Sequence, residues 1–406
     1  MPSRFSWLDF SERDRRLALN TIDLFRDKTT RDELGLGTIR DAIADVLFPG
    51  TSTIQTRARY FLFVPWLYRE LEKRQVAAGN VARLARQMEI RLIDALAQSE
   101  DIRGVIGIEA RGSLQRLPSS VYWQGLGDWG IRQMPISISE YHRHFAQLAN
   151  VAGKRNSIEE EDLAIDSRIR PMWHAGLPAA PPDFPGHASM ALTADESDYL
   201  RERILTRASG TMLAAMLGLP PPPDDERSLP WEYSCADRLP GINREQLAHA
   251  RRFAMVTLGG PLLYNLLLSE LKSEPAVRDK FREWIRLWAQ DGIAPMMADL
   301  RSWDREAFWR LVRSTYPRLG LPTRRFSDQW IDLVLTIPSV ERIADDEHAR
   351  HLVRSRERSL KGPLSRFVSE KSLALWNGES GTGIANYRWH RVIGLVRDIS
   401  RSDGDA

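Results

Sequence analysis

A stripe of basic side chains toward the C-terminal end of the chain is the strongest candidate for binding chemistry. Residues 350–371 contain seven lysines and arginines against two glutamates. If residues 340–360 are helical, four of these cations fall at i, i+4, i+8 and i+11, which places them on one helix face. They are Arg350, Arg354, Arg358 and Lys361. Stripes of this kind can follow nucleic-acid phosphates, so the expected phosphate contacts are Arg354, Arg358, Lys361 and Arg366.

The same stripe has two other interpretations. Asp346 precedes Arg350 by four residues and Glu357 precedes Lys361 by four, the order in which helical ion pairs are most favourable. Such pairs would neutralise half of the stripe and leave an ordinary solvated helix. A surface for a protein partner is the third interpretation.

Arg57 and Arg59 form a second candidate site, because they stand directly before the apolar run of residues 60–66, YFLFVPW. That run is apolar in every direction around a helix, which is typical of a buried helix, and Pro65 should kink it. A buried arginine needs a paired anion, and the acidic residues of 11–45 are the expected partners. Structural arginines are therefore favoured, with a nucleic-acid contact or a small-ligand contact as the alternatives.

Signatures of the common catalytic sites are missing from the sequence. It contains no Gly-Lys-Ser/Thr phosphate-loop ending, no Gly-x-Ser-x-Gly and no His-Glu-x-x-His. The single cysteine, Cys235, cannot build a thiolate metal site. The run DDEHARH of residues 345–351 could hold a divalent ion, but a solvated helix face is favoured there. We therefore expect no catalytic site, no metal site and no cofactor.

The bulk composition is that of a soluble globular protein. Of 406 residues, 43% are hydrophobic and 27% are charged, which is ordinary for folded domains. The formal net charge of +3 is too small to imply a polyanionic partner by itself. One cysteine suits a reducing compartment, and the charged N-terminal sequence lacks the apolar region of a signal peptide. We therefore expect a cytoplasmic protein that does not span a membrane.

Helical periodicity dominates the chain. Ser52, Ser137 and Thr193 each begin a capping-box pattern that predicts the start of a helix. Residues 105–108 are the candidate for a short strand. The 17 uncharged residues 253–269 reach the minimum length of a membrane span, but a buried core helix is the favoured interpretation.

Changes of composition divide the chain into four segments. Residues 1–150 should form an N-terminal helical domain and residues 151–192 a proline-rich loop or linker. Residues 193–338 should form a central helical region and residues 339–406 a basic C-terminal helical region. The expected fold class is mainly α: a multi-helix globular protein with few short strands and long proline-rich loops.

Three stretches of the sequence carry a family resemblance: PGTSTIQTRARYFLFVPW, SSVYWQGLGDWGI and YRWHRVIGLVRDI. They resemble a bacterial domain-of-unknown-function family, number 6361, and the similarity extends over nearly the whole chain. The resemblance implies no activity and no functional residue. Members of that family look like components of bacterial defence or mobile-element gene clusters, alongside helicases and phospholipase-D-like proteins. The resemblance therefore raises the expectation of a function that involves nucleic acid.

We therefore expect a non-catalytic accessory protein, associated with nucleic acid, in a bacterial defence or mobile-element system. DNA or RNA and helicase-like or nuclease-like proteins are the expected partners. Two alternatives stay open: a helical adaptor that binds only proteins, and an enzyme whose site is not recognisable from sequence. A basic groove would favour nucleic-acid binding, a large exposed apolar patch the adaptor, and converging carboxylates with a bound ion an enzyme.

Overall fold

The computed structural model describes residues 32–149, 171–223 and 228–400, and these ranges are helical over most of their length. The extended pairing found in them is one isolated antiparallel bridge between Arg132 and Trp173. Their fifteen α-helices are α1 Gly37–Leu47, α2 Tyr60–Lys73, α3 Ala78–Leu96, α4 Pro118–Asp128, α5 Ile138–Arg143, α6 Ala194–Arg207, α7 Met212–Met216, α8 Gly241–Leu271, α9 Pro275–Leu287, α10 Met297–Arg301, α11 Arg305–Thr315, α12 Leu321–Thr336, α13 Glu347–Lys361, α14 Glu370–Ala374 and α15 Trp389–Ser400. The mainly α fold class is confirmed. The strand expected at residues 105–108 is wrong, because turns occupy that stretch.

The chain divides into two compact units, each made from two separated stretches of sequence. Unit 1 comprises Met1–Val46 and Arg244–Tyr387, and unit 2 comprises Leu47–Asn243 and Arg388–Ala406. The four consecutive segments expected from the sequence were placed at changes of composition, and their boundaries stay a prediction.

Helix α2 supplies much of the core of unit 2. Every residue from 60 to 68 is buried, as expected of a helix that is apolar on all sides. The ring of Phe61 stacks on that of Trp129, with the centroids 3.8 Å apart. Pro65 lies inside the helix and has no amide hydrogen to donate to the preceding turn. The kink expected at this proline stays a prediction.

The loop before α2 is closed by side chains and does not begin a helix. The Gln55 side chain accepts a hydrogen bond from the Ser52 amide at 3.0 Å and donates to the Gly50 carbonyl at 3.0 Å. The capping box predicted at Ser52 is therefore wrong, because Gln55 folds back onto the loop instead of onto a helix start. The capping boxes predicted at Ser137 and Thr193 are confirmed at the start of α5 and α6.

Arg57 and Arg59 are both tied to carboxylates of unit 2. Arg57 binds two of them, at 2.7 and 3.0 Å, and Arg59 binds one at 2.8 Å. The carboxylates belong to Asp101, Asp398 and Glu196 respectively. These groups, rather than the acidic residues of 11–45, supply the pairing that buried arginines require; residues 11–31 lie outside the described ranges.

Helix α8 carries the apolar run of residues 253–269. It is long and apolar enough to cross a membrane, and 72% of its most apolar window is buried. Core helices of soluble proteins can have the same length and composition. Packing explains Gly259, where a Cβ would lie 2.4 Å from the Trp288 ring. The one amide in the run, Asn265, accepts a hydrogen bond from the Trp376 indole at 3.0 Å. This run therefore forms a mostly buried helix, as expected.

Glu89 is a carboxyl group inside the core of unit 2. It is 1% exposed and accepts hydrogen bonds from the Ser119 amide at 2.7 Å and the Ser119 hydroxyl at 2.8 Å. Burial raises the pKa of Glu89 to about 7, while the two bonds from Ser119 and the charge of Arg86 oppose that rise. The folded chain therefore keeps a proton on Glu89 at a pH where the unfolded chain has released it.

We expect the Glu89 contribution to make the free energy of unfolding fall as pH rises from about 4.5 to about 7, by about 3 kcal/mol in total. In that window only the folded state holds the proton, so raising the pH favours unfolding; above it the contribution is constant. Glu89→Gln imitates the neutral carboxyl and should remove this slope. Urea unfolding of both proteins at several pH values checks it, and identical slopes would show that Glu89 ionises normally.

A second expectation concerns the aromatic core around α2. Phe63 is buried and its ring stacks on Phe184 at 5.7 Å, so Phe63→Ala should lower the free energy of unfolding by about 3–5 kcal/mol. Leu205→Ala on α6 is the control, because Leu205 is 46% exposed and its truncation should cost under about 1 kcal/mol. Equal losses in the two variants would contradict the burial of Phe63.

Candidate functional site

Helix α13 carries the basic stripe, and its ends are set by local chemistry. The Asp346 carboxylate accepts a hydrogen bond from the Ala349 amide at 2.7 Å, which caps the N-terminus. Gly362 follows the last turn with φ +50, a backbone conformation that favours glycine. The helix begins later than expected, since Val340–Ala344 form a separate 3₁₀ turn. Because Asp346 is the cap, it does not make the expected ion pair with Arg350.

The first and the last cation of the stripe are neutralised by other parts of unit 1. Arg350 binds the carboxylate of Glu270. Lys361 binds the carboxylate of Glu33 and lies 3.9 Å from that of Glu357. Both cations border the buried face of α13, which explains why carboxylates of neighbouring elements reach them. Lys361 is therefore a poor candidate for a phosphate contact.

Arg366 lies inside unit 1 and not on its surface. The residue is 6% exposed, and its guanidinium donates to Glu33 at 2.7 Å and to the Tyr264 hydroxyl at 2.9 Å. Its backbone amide donates to Glu357 at 2.9 Å. A guanidinium that is covered and paired cannot reach a phosphate, so Arg366 is a structural residue and is removed from the expected contacts.

Arg354 and Arg358 occupy the outer face of α13. Arg358 is exposed and Arg354 half-buried. Within the described ranges Arg354 has no ion pair or hydrogen bond, and Arg358 has one hydrogen bond of 3.5 Å to the Phe367 carbonyl. The two residues are one turn apart, about 6 Å along the helix axis. The exposed Glu347 is the one carboxylate that α13 places beside them, so this outer face keeps a net positive charge.

The acidic and histidine-containing run of residues 345–351 does not gather into a metal site. Asp345 binds Arg282 at 2.8 Å, and the hydrogen bond from Arg282 lowers the pKa of that carboxyl. The His351 ring is hydrogen bonded to the Ser355 hydroxyl at 3.1 Å. Among the residues that the structure describes, no three His, Cys, Asp or Glu side chains are grouped so that they could hold a metal ion.

Comparison with known proteins identifies the family of this chain. A family model matches residues 2–400. The chain belongs to DUF6361, a family of unknown function. No curated protein and no solved structure matches it. The resemblance to DUF6361 over nearly the whole chain, which three stretches of the sequence indicated, is therefore confirmed.

Sequence reasoning missed Glu33 as a partner of the basic residues, and it missed the burial of Glu357, which it expected to pair with Lys361 on the helix surface. Glu33 is buried and lies 333 residues before its partner Arg366. Glu357 is also buried, although its helical neighbours are charged. The alternation of acidic and basic residues in this stretch gives no local signal that separates a paired arginine from a free one.

The different surroundings of Arg366 and Arg358 predict different effects on stability. Arg366→Met should lower the free energy of unfolding by about 3 kcal/mol, because it leaves the buried Glu33 short of a partner. Arg358→Met should change it by no more than about 0.5 kcal/mol, since the residue is exposed. Urea unfolding of the two variants measures both values, and a change below about 1 kcal/mol for Arg366→Met would count against the ion pair.

Proposed function

We propose that this chain is an accessory component, without a catalytic site of its own, that associates with nucleic acid in a bacterial defence or mobile-element system. The observation that supports it is the pair Arg354 and Arg358, which lie one turn apart on the outer face of α13 without a carboxylate partner among the described residues. Guanidinium groups in that position suit the phosphate backbone, which is where most protein–DNA hydrogen bonds are made.

The chemistry of this surface predicts binding without sequence preference. Backbone phosphates carry no base information, and the association should weaken steeply as salt rises. A cytoplasmic accessory protein of this kind needs a partner that performs the reaction, and a helicase-like or nuclease-like protein fits that role. The resemblance of the chain to a family associated with defence and mobile-element gene clusters supports this part of the proposal.

A protein-binding adaptor is the second candidate function, and one observation favours it. Four large apolar side chains are exposed between residues 360 and 375. They are Leu360, Leu364, Val368 and Leu375. Exposed apolar side chains are used in protein-interaction surfaces where they form a contiguous patch, so the adaptor becomes the preferred function if nucleic acid is not bound.

The test is the salt dependence of binding to unrelated DNA duplexes, single strands and RNA. Each phosphate contact on duplex DNA contributes about 0.9 to the slope of log affinity against log salt. The double variant Arg354→Gln/Arg358→Gln should therefore flatten the slope by roughly two units, to a similar extent for every sequence. Fluorescence anisotropy with labelled oligonucleotides between about 50 and 200 mM salt measures it.

The control is the double variant Arg244→Gln/Arg251→Gln, which removes the same charge from exposed arginines of α8. It should keep the full slope. An equal flattening in both double variants would assign the binding to general charge and not to α13. If the unaltered protein binds no DNA or RNA at low salt, the nucleic-acid function is overturned in favour of the adaptor.

A further inference from the structure

Helix α6 of unit 2 buries polar atoms that have no partner. Tyr199 and Arg203 are each 7% exposed and stand four residues apart, on the same helix face. The Tyr199 hydroxyl and the Nε of Arg203 have no hydrogen-bond partner in the described part of the chain. Arg203 donates one bond, from Nη2 to Glu202 at 2.8 Å. Buried groups of this kind normally cost free energy unless a hydrogen-bond partner, such as a water molecule or a ligand, satisfies them.

Two half-exposed groups stand beside these buried ones. The ring of His174 lies 5.7 Å from that of Tyr199. Arg69 makes a single long hydrogen bond, 3.5 Å, to the Leu177 carbonyl. Burial raises the pKa of Tyr199, Arg203 and Arg69 oppose that rise, and Glu202 adds to it, so both guanidinium groups lie within electrostatic reach of the phenol oxygen.

The charges of the cluster favour an anion. Arg203 contacts one carboxylate, that of Glu202, whose side chain is 57% exposed. Arg69 makes no ion pair within the described residues, although its charge reaches the buried carboxyl group of Glu72. Burial lowers the pKa of His174, and the charge of Arg203 lowers it further while Glu202 opposes this, so at neutral pH the imidazole is a neutral group that can donate from one nitrogen. Tyr199 is a neutral donor as well.

Arg59 shows that burial of an arginine on its own does not make such a site. Its Nε also lacks a partner, but its other nitrogens donate to Glu196 at 2.8 Å and to the Ser189 carbonyl at 3.0 Å. Its charge is therefore neutralised by a buried carboxylate. Arg203 differs, because the carboxylate that it contacts is largely in solvent.

We propose that Arg69, His174, Tyr199 and Arg203 form a binding site for a terminal phosphate group. A phosphate monoester carries up to two negative charges and three acceptor oxygens, which can take bonds from two guanidinium groups and two neutral donors together. The buried Tyr199 and Arg203 suit the end of a ligand rather than the middle of a strand, and Arg69 and His174 are partly open to solvent. The site uses no residue of α13 and does not rest on the nucleic-acid contact proposed there.

The first experiment uses the full chain and inorganic phosphate. Phosphate in the millimolar range should raise the melting temperature, since a ligand of the folded state stabilises it, and calorimetry should detect the binding. Arg203→Gln and Tyr199→Phe should each weaken it about tenfold, because each removes a bond to a charged ligand. Arg207→Gln, an exposed arginine of the same helix, should leave it unchanged.

Tyr199→Phe also distinguishes a loss of phosphate binding from a folding defect. It removes a hydroxyl that has no partner, so without phosphate the variant should be as stable as the unaltered protein or more stable. The double variant Arg354→Gln/Arg358→Gln should keep its phosphate binding, which separates a failure of this site from a failure of the proposed nucleic-acid function.

The second experiment identifies the source of the phosphate. Adenosine 5′-monophosphate and single-stranded oligonucleotides with a 5′-phosphate or a 5′-hydroxyl are compared. Tighter binding of the phosphorylated strand, lost in Arg203→Gln, assigns the site to a strand end; binding of the mononucleotide with no difference between the strands assigns it to a small ligand. The proposal is overturned if none of these probes binds, or if Arg207→Gln weakens binding as much as Arg203→Gln.

Discussion

Each unit depends on an ion pair between a buried or half-buried guanidinium and a carboxylate from the far end of the sequence. In unit 2, Arg57 binds Asp398, 341 residues away. In unit 1, Arg366 binds Glu33, 333 residues away. Each unit is assembled from an early and a late stretch of the chain, and these ion pairs join the two stretches. A buried charge without its partner costs several kcal/mol. Each stretch of a unit therefore supplies the counter-charge that the other stretch needs.

This constraint separates what the sequence could predict from what it could not. The capping box at Thr193 involves residues three positions apart, and the burial of Arg59 follows from the apolar run beside it, so local pattern sufficed. The choice of Asp398 as the partner of Arg57 is made by packing between distant stretches. No residue near Arg57 in the sequence indicates that partner. The acidic residues of 11–45, which were the expected partners, are not the ones that bind it.

Helix α13 shows the same limit within a single element. Its buried face contains Arg356, which donates to the Leu34 carbonyl at 2.8 Å, and Glu357, which is fully covered. These two polar residues interrupt the apolar periodicity that would identify the buried face of the helix. The sequence therefore indicated a stripe of equivalent cations. The structure divides that stripe into bordering residues that are paired, such as Arg350, and outer residues that are not, such as Arg354.

The arginines of α13 and of α6 represent two different ways of presenting positive charge. Arg358 remains in water, so an anion that meets it gains mainly by releasing counterions, and salt weakens that gain directly. Arg203 lost most of its hydration when the chain folded. An anion that reaches it satisfies a donor that is already dehydrated, and salt screens the attraction less because the charge is buried. Exposed arginines therefore favour broad, salt-sensitive attachment to a backbone, whereas the buried arginine favours selection of a group by shape and by the number of its acceptors.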